Sequence, residues 1–251
     1  MSIPQNHLLD SLSPSDRALI PSRLKVVELT QETVLFEVGS EIDKVYFPHS
    51  GVVSLVVPLA SGEMIESAMV GRDGLIGGAS ALGTRVSVFK AIVQIAGSAS
   101  VLDADRLSSA ANKSATLRAT LFRHEQVVLA QAQQSAACNA SHSVEARLSR
   151  WLLRARDLQG SDDLNLTQEF LSQMLGVRRS SVSVVAHALQ ELGLIRYSRG
   201  HIRILDLAGL QAAACECYES VRAQAERLMG TKARPSPRNV KRGARIDAAG
   251  E

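Results

Sequence analysis

The sequence predicts an α+β chain whose strands come first and whose helices follow. Three observations carry this. Short apolar runs recur through the first hundred residues with Gly, Pro or Asp between them, the pattern of a β-sandwich or barrel. Residues 113–158 contain no Gly and no Pro and are rich in Ala, Leu, Gln and Arg, all good helix formers. Residues 166–205 hold two short helical patterns joined at a glycine, then two alternating segments, which reads as a helix-turn-helix followed by a hairpin.

Composition fits that class. Of 251 residues, 45% are apolar and 21% charged, enough to bury a core of one large or two modest domains and too apolar for a disordered chain. The opening MSIPQNHLLD has neither a basic start nor an apolar stretch, so no secretory signal is expected. No run approaches the roughly 20 apolar residues of a membrane span. Three cysteines make a disulfide framework improbable and a cytoplasmic setting the expectation. The net charge of +3 is uneven: residues 140–205 carry 9 Lys/Arg against 6 Asp/Glu, and 230–251 carry 6 against 2. A local excess of this kind points to an anionic partner for the later part of the chain.

Taken in order, the strand candidates are Val26–Leu29, Thr33–Val38, Val45–Pro48, Val52–Val57, Met64–Val70, Val86–Ile95 and Ala99–Asp103. Ala60-Ser61-Gly62-Glu63 has hairpin-turn chemistry. A long helix is predicted over 116–137, about 33 Å at 1.5 Å per residue. Along it Leu117, Leu121, His124, Val128, Gln131, Ser135 and Cys138 recur in alternating steps of four and three. That heptad seam, polar in its second half, is expected to pack against another copy of the chain; packing on its own domain is the alternative. A further helix from Val144 to about Leu158 places Leu148, Trp151, Leu152 and Ala155 on an apolar face, with Arg147, Arg150, Arg154 and Arg156 mainly elsewhere.

Residues 166–205 carry the chemistry. Thr167 can cap a helix whose buried face is Phe170, Leu171, Met174 and Leu175, and Gly176 ends it with positive φ. A second helix runs from Arg178 to about Leu192, with Val182, Val185, Ala186, Leu189 and Leu192 inward. Its outward face holds Arg178, Arg179, Ser180, Ser183, Val184 and His187. A major-groove reader needs an Arg for guanine edges, small hydroxyls that let the backbone approach, and an apolar group for a thymine methyl. Behind it, two alternating segments flank Ser198-Arg199-Gly200 and carry Arg196, Arg199, His201 and Arg203. A hairpin of this composition suits phosphate contacts, and the whole unit reads as a winged helix.

This order, with LTQEFLSQMLGVRRSSVSVVAHALQELGLIRYSRGHIRIL at its end, resembles the Crp/Fnr superfamily of bacterial transcription regulators, over roughly residues 15–205. The resemblance implies a cyclic-nucleotide-binding-like β jelly roll at 1–112, a dimerisation helix at 113–140 using Leu117, Leu121, His124, Val128, Gln131 and Ser135, and a winged-helix DNA-binding domain at 141–229. Residues 230–251, basic and nearly without apolar groups, are expected to be a disordered tail. Implied partners are double-stranded DNA with a palindromic operator, a second copy of the chain, RNA polymerase and an unidentified small-molecule effector, with no membrane. By position Arg179 matches the family's base-reading arginine. Ser180 stands where a Glu is common, Ser181 matches a Thr, and Val184 stands at a later Arg. Ser181, Thr167 and Gln168 then fall at phosphate-contacting positions.

The family's nucleotide site departs further. Gly77 fits its pattern, but Gly78 replaces the ribose-binding Glu, and Ser87 falls where the phosphate-binding Arg belongs, with Arg85 two residues off. A pocket of Gly77, Gly78, Ser80, Arg85 and Ser87 would lack the charge-assisted pair a cyclic phosphate needs, so cyclic AMP is not the expected ligand.

Other signals are weak. Cys215-Glu216-Cys217 is half a metal site with no partner pair evident nearby, and Cys138 reads as a packing residue. No N-terminal cysteine cluster and no nucleophile elbow occur. A cupin-like hydrolase would need several inward histidines, and His49 is the one His in the main strand run. The expectation is a regulator that is not an enzyme and has no metal or cofactor. The competing reading is a sensor or adaptor whose winged helix binds protein.

Overall fold

The structure, a computed structural model, describes residues 6–230. The tail expected to be disordered lies, beyond Gly230, outside the described residues. Two short helices, α1 (His7–Asp10) and α2 (Pro14–Ala18), precede strands β1 (Lys25–Leu29), β2 (Val34–Phe36), β3 (Lys44–Pro58), β4 (Met64–Val70) and β5 (Lys90–Asp103). Next come α3 (Ala104–Lys113), α4 (Ala115–Ser141), α5 (Val144–Gln159), β6 (Asp163–Asn165), α6 (Gln168–Leu175), α7 (Arg179–Glu191), β7 (Ile195–Ser198), β8 (His201–Ile204), α8 (Leu207–Ala213) and α9 (Cys217–Met229). The first sheet is antiparallel in the order β1-β5-β3-β4, with β2 also on β5; the second is β6-β8-β7. The α+β class read from the sequence is what the chain adopts.

Four expected strands fuse into two. Val45–Pro48 and Val52–Val57 are one strand, β3, and the end of Val86–Ile95 joins Ala99–Asp103 in β5. The reason is two glycines. At Gly51 (φ +83°) a Cβ would lie 2.6 Å from the Ile95 carbonyl oxygen, and at Gly97 it would lie 2.2 Å from that of Ser50. The backbones cross here more closely than any side chain permits. The pairing shifts register between Pro48 and Val53, so both strands bend without ending.

Both faces of the bent sheet are covered. One face, with Val53, Leu55, Val70 and Val93, packs on Phe36, Ile42 and Ile76. The other, with Val52, Val56, Met69, Ile92 and Ile95, packs on Leu148, Trp151 and Leu152 of α5. Val52–Val56 is therefore buried at every position, and the period-two alternation disappears. Helix α5 continues the same cluster into Leu171, Met174, Val182 and Leu189 of α6 and α7.

That sandwiching changes the polar face of α5. Arg147 and Arg150, expected away from the apolar face, are 6% and 9% exposed. Both sides of the helix are covered, so no face was left for them. Arg147 donates to the Leu175 carbonyl, and Arg154 pairs with Asp73 at 2.6 Å. Glu66 on β4 is buried beside them. Its carboxylate accepts from the Trp151 indole at 2.9 Å and from the Ser54 hydroxyl at 2.5 Å. Burial pushes this carboxyl up to about 7, against the pull of those hydrogen bonds and of the Arg150 and Arg154 charges.

The long helix requires a correction. Leu117, Leu121, His124, Gln131, Ser135 and Cys138 of α4 are buried against the chain's own first half and against α9, and Val128 is half-buried there. His124 Nε2 accepts the Leu75 N–H at 3.1 Å, and Gln131 Oε1 accepts the Met69 N–H at 3.5 Å. The expected dimer seam is thus the inner face. The open side carries a second stripe at heptad spacing: Ala115, Ala119, Phe122, Leu129 and Ala136, all exposed, with Phe122 and Leu129 each 57% accessible. Among the described residues no helix is long and apolar enough to cross a membrane.

Candidate nucleic-acid interface

Local chemistry sets the paired helices α6 and α7. The Thr167 hydroxyl accepts from the Phe170 N–H at 3.2 Å and so caps α6. Gly176, at φ +60°, ends it in the left-handed region. Helix α7 starts three residues later, with Val182, Ala186 and Leu189 buried against α5 and α6, whereas Leu192, expected inward, ends the helix and is 66% exposed because the covered stripe stops at Leu189. Its other side is open: Arg178, Arg179, Ser180, Val184 and His187 are exposed, Val184 to 70%. Arg178 and Arg179 make no salt bridge among the described residues, while His187 sits 3.3 Å from Glu191 one turn on.

Two of the small polar groups do something narrower than expected. The Ser183 hydroxyl donates to Gln168 Oε1 at 2.7 Å and sits 3.1 Å from the Arg179 carbonyl. It therefore ties the first turn of α6 to α7, so it positions the two helices and has no free proton for a base. Ser181 is half-buried beside it.

The hairpin of β7 and β8 stands next to the start of α6, where the Leu166 N–H bonds the Gly200 carbonyl at 2.7 Å. Arg199 (φ +47°) and Gly200 (φ +80°) occupy its turn. Two successive positive φ values are those of a type I′ turn, which matches strand twist but strains a residue with a Cβ. Its place in the turn leaves Arg199 exposed at the tip. Arg196 and Arg203 face each other across the strands, a repulsive pair that Asp163 relieves at 3.5 Å from Arg203. His201 departs from expectation: its ring lies 2.7 Å from Asn165 Oδ1 and 3.2 Å from Asp163 Oδ1. The third strand, β6, which the sequence did not reveal, engages it.

The residues expected to form a sensor pocket are occupied by local structure. Gly77 (φ +86°) opens a 3-10 turn over 78–81, and the Ser80 hydroxyl donates back to its carbonyl at 2.7 Å. A Cβ on Gly78 would lie 2.7 Å from Glu125 Oε1. The buried Ser87 donates to the Phe89 carbonyl at 2.7 Å. Arg85 is held by Glu41, Asp43 and Asp105 at 3.3, 3.0 and 2.6 Å. A different cleft, of about 360 Å³, opens where α1, α4, α5 and α9 meet, lined among others by Asp73, His124, Arg154, Asp157 and Arg222. Nothing local in the sequence marks it, because its walls come from five separate parts of the chain, the end of β4 among them.

A family model for the Crp-like helix-turn-helix domain matches residues 146–213. No curated protein sequence matches. Among solved structures, FixK2 from Bradyrhizobium japonicum aligns with a TM-score of 0.66 at 16% identity, over 77% of this chain and 98% of its own. A transcriptional regulator of the CRP/FNR family from Thermus thermophilus aligns at 0.60 with 24% identity, over 76% and 98%. The c-di-GMP-responsive global regulator CLP of Xanthomonas campestris aligns at 0.62 with 14% identity, over 77% and 100%. The chain therefore carries a Crp-like helix-turn-helix domain and has the fold of the Crp/Fnr DNA-binding transcription regulators.

Proposed function

We propose that the chain regulates transcription as a homodimer that reads a palindromic operator and answers to a signal other than cyclic AMP. The observation that carries this is the open face of α7, where two arginines, Ser180 and Val184 lie exposed together on the helix that the Crp-like domain presents. An Arg at the helix start can take guanine O6 and N7, and a valine methyl can take a thymine methyl. Arg199 at the hairpin tip suits the flanking phosphates. Thr167 and Gln168, which fix the two helices, are candidates for phosphate contact from the same side.

Two-fold pairing would use the open stripe of α4, from Ala115 through Phe122 and Leu129 to Ala136, in place of the inner seam. In a symmetric pair the two α7 helices enter major grooves about 34 Å apart. The signal would be read in the first half, with the cleft between α1, α4, α5 and α9 as a site for a small polar effector. Against cyclic AMP stand Gly78 in place of an acidic side chain and an Arg85 already paired with three carboxylates. Contact with RNA polymerase follows from the regulatory role.

Fluorescence anisotropy against the DNA upstream of its own coding sequence tests the reading. Arg179→Ala should cost about 1–3 kcal/mol on the cognate site and relax preference at one base pair. Equal weakening on every sequence would remove the base-reading role. Calorimetric titration with cyclic AMP should show no micromolar binding.

A further inference from the structure

Four soft donors from distant parts of the chain meet at the turn between α4 and α5. Cys138 is in the last turn of α4, and His142 is the residue that ends that helix. Cys215 and Cys217 flank the start of α9, which packs back along α4. Their ligand atoms all lie within 4.8 Å of one another. Sulfur to sulfur, Cys138 and Cys215 are 3.5 Å apart, and Cys217 Sγ is 3.6 Å from His142 Nδ1. The partners that Cys215-Glu216-Cys217 lacked in the sequence are supplied by the fold, across 77 and 75 residues.

Those separations are informative. Zinc bonds of about 2.3 Å to sulfur and about 2.0 Å to nitrogen put neighbouring donors of a tetrahedron roughly 3.5–3.8 Å apart. All four donors are closer together than the thiolates of a 4Fe–4S cluster, each of which sits on its own iron. The cysteines are free, and 3.5 Å is far from the roughly 2.05 Å of a disulfide.

The surroundings are those of a ligand set. His142 turns Nδ1 toward Cys217 and has Nε2 at 3.2 Å from Glu216 Oε1, the carboxylate–histidine arrangement that fixes a metal-bound imidazole. Gln134 Nε2 donates to Cys217 Sγ at 3.0 Å. Three thiolates, one imidazole and a divalent ion carry one net negative charge. Arg147, at the start of α5, is buried, and its Nε has no hydrogen-bond partner among the described residues.

We propose that Cys138, His142, Cys215 and Cys217 form a closed four-ligand site for a thiophilic divalent ion, zinc being the best match of geometry and donor type. Binding releases the three thiol protons to solvent as the three sulfur–metal bonds form. With every position filled by protein, the ion is structural. It clamps α9 to the end of α4 and fixes the turn through which α5 leaves it.

The test is cobalt(II) and zinc titration of the reduced, metal-stripped full chain, with metal content read by mass spectrometry. The expected result is one ion per chain and the intense visible bands of tetrahedral cobalt–thiolate, displaced by zinc. Glu216→Gln should weaken zinc binding roughly 10–100-fold, and His142→Ala by more. Both residues sit at the accessible edge of the cluster, so they probe the site even if Cys138→Ser fails to fold. Weak octahedral cobalt bands with no retained zinc would overturn the proposal. So would a Cys138–Cys215 disulfide that forms equally fast with and without zinc.

Discussion

Replacing Glu66 by Gln isolates what it costs to keep one carboxylate between the sheet and α5. The carboxyl is raised from an ordinary 4.5 to about 7, burial being the main cause. Between those values the folded chain holds a proton that the unfolded chain has already lost. The stability tied to the group is therefore complete below the lower value, falls as pH rises through the interval, and is gone above the upper one. A shift of about 2.5 units corresponds to about 3 kcal/mol. Gln keeps an acceptor for Trp151 and cannot ionise. Urea unfolding of both proteins at about pH 5 and about pH 8 should show the wild type losing about 1 M of midpoint relative to the variant, at a slope of about 3 kcal/mol/M. Other titrating groups cancel in the difference. Parallel stability curves for the two proteins across this range would refute the reasoning.

Three further outcomes follow from the geometry. Arg199→Gly should stabilise the hairpin by about 1 kcal/mol, since the positive φ no longer strains a Cβ. It should also reduce the slope of log K against log salt by about 0.9 per chain if Arg199 contacts a phosphate; chemical denaturation and anisotropy read the two effects. Phe122→Lys on the open stripe of α4 should shift sedimentation toward monomer and leave the fold intact, whereas Leu121→Lys, buried on the inner face, should unfold it. Gly97→Ala must push a Cβ into the Ser50 carbonyl and should lower stability by about 3 kcal/mol, measured by thermal melting.

What the sequence showed plainly is what local chemistry decides. The cap at Thr167, the stop at Gly176, the exposed face of Arg178, Arg179, Ser180, Val184 and His187 and the turn at Arg199-Gly200 each depend on residues within one or two turns of chain. What it hid depends on distant neighbours. Helix α4 carries two stripes at heptad spacing, and only the position of the first half decides which is inside. The polar character of the inner stripe was a usable clue, because His124 and Gln131 meet backbone N–H groups there, which a second copy of the helix could not offer. The burial of Arg147 and Arg150 needed knowledge of a sheet some 80 residues earlier. Cys138 and Cys215 meet only because α9 doubles back.

Helix α5 is covered on both sides by different parts of the same chain, and this constrains anyone who would recombine such proteins. A chimaera that grafts this helix-turn-helix domain onto a foreign N-terminal half cannot be cut at the end of α4 alone. The donor would have to bring the Glu66 side of β4 with it, or repaint Arg147 and Arg150 to suit a new neighbour. The natural unit of exchange is larger than the helix-turn-helix domain.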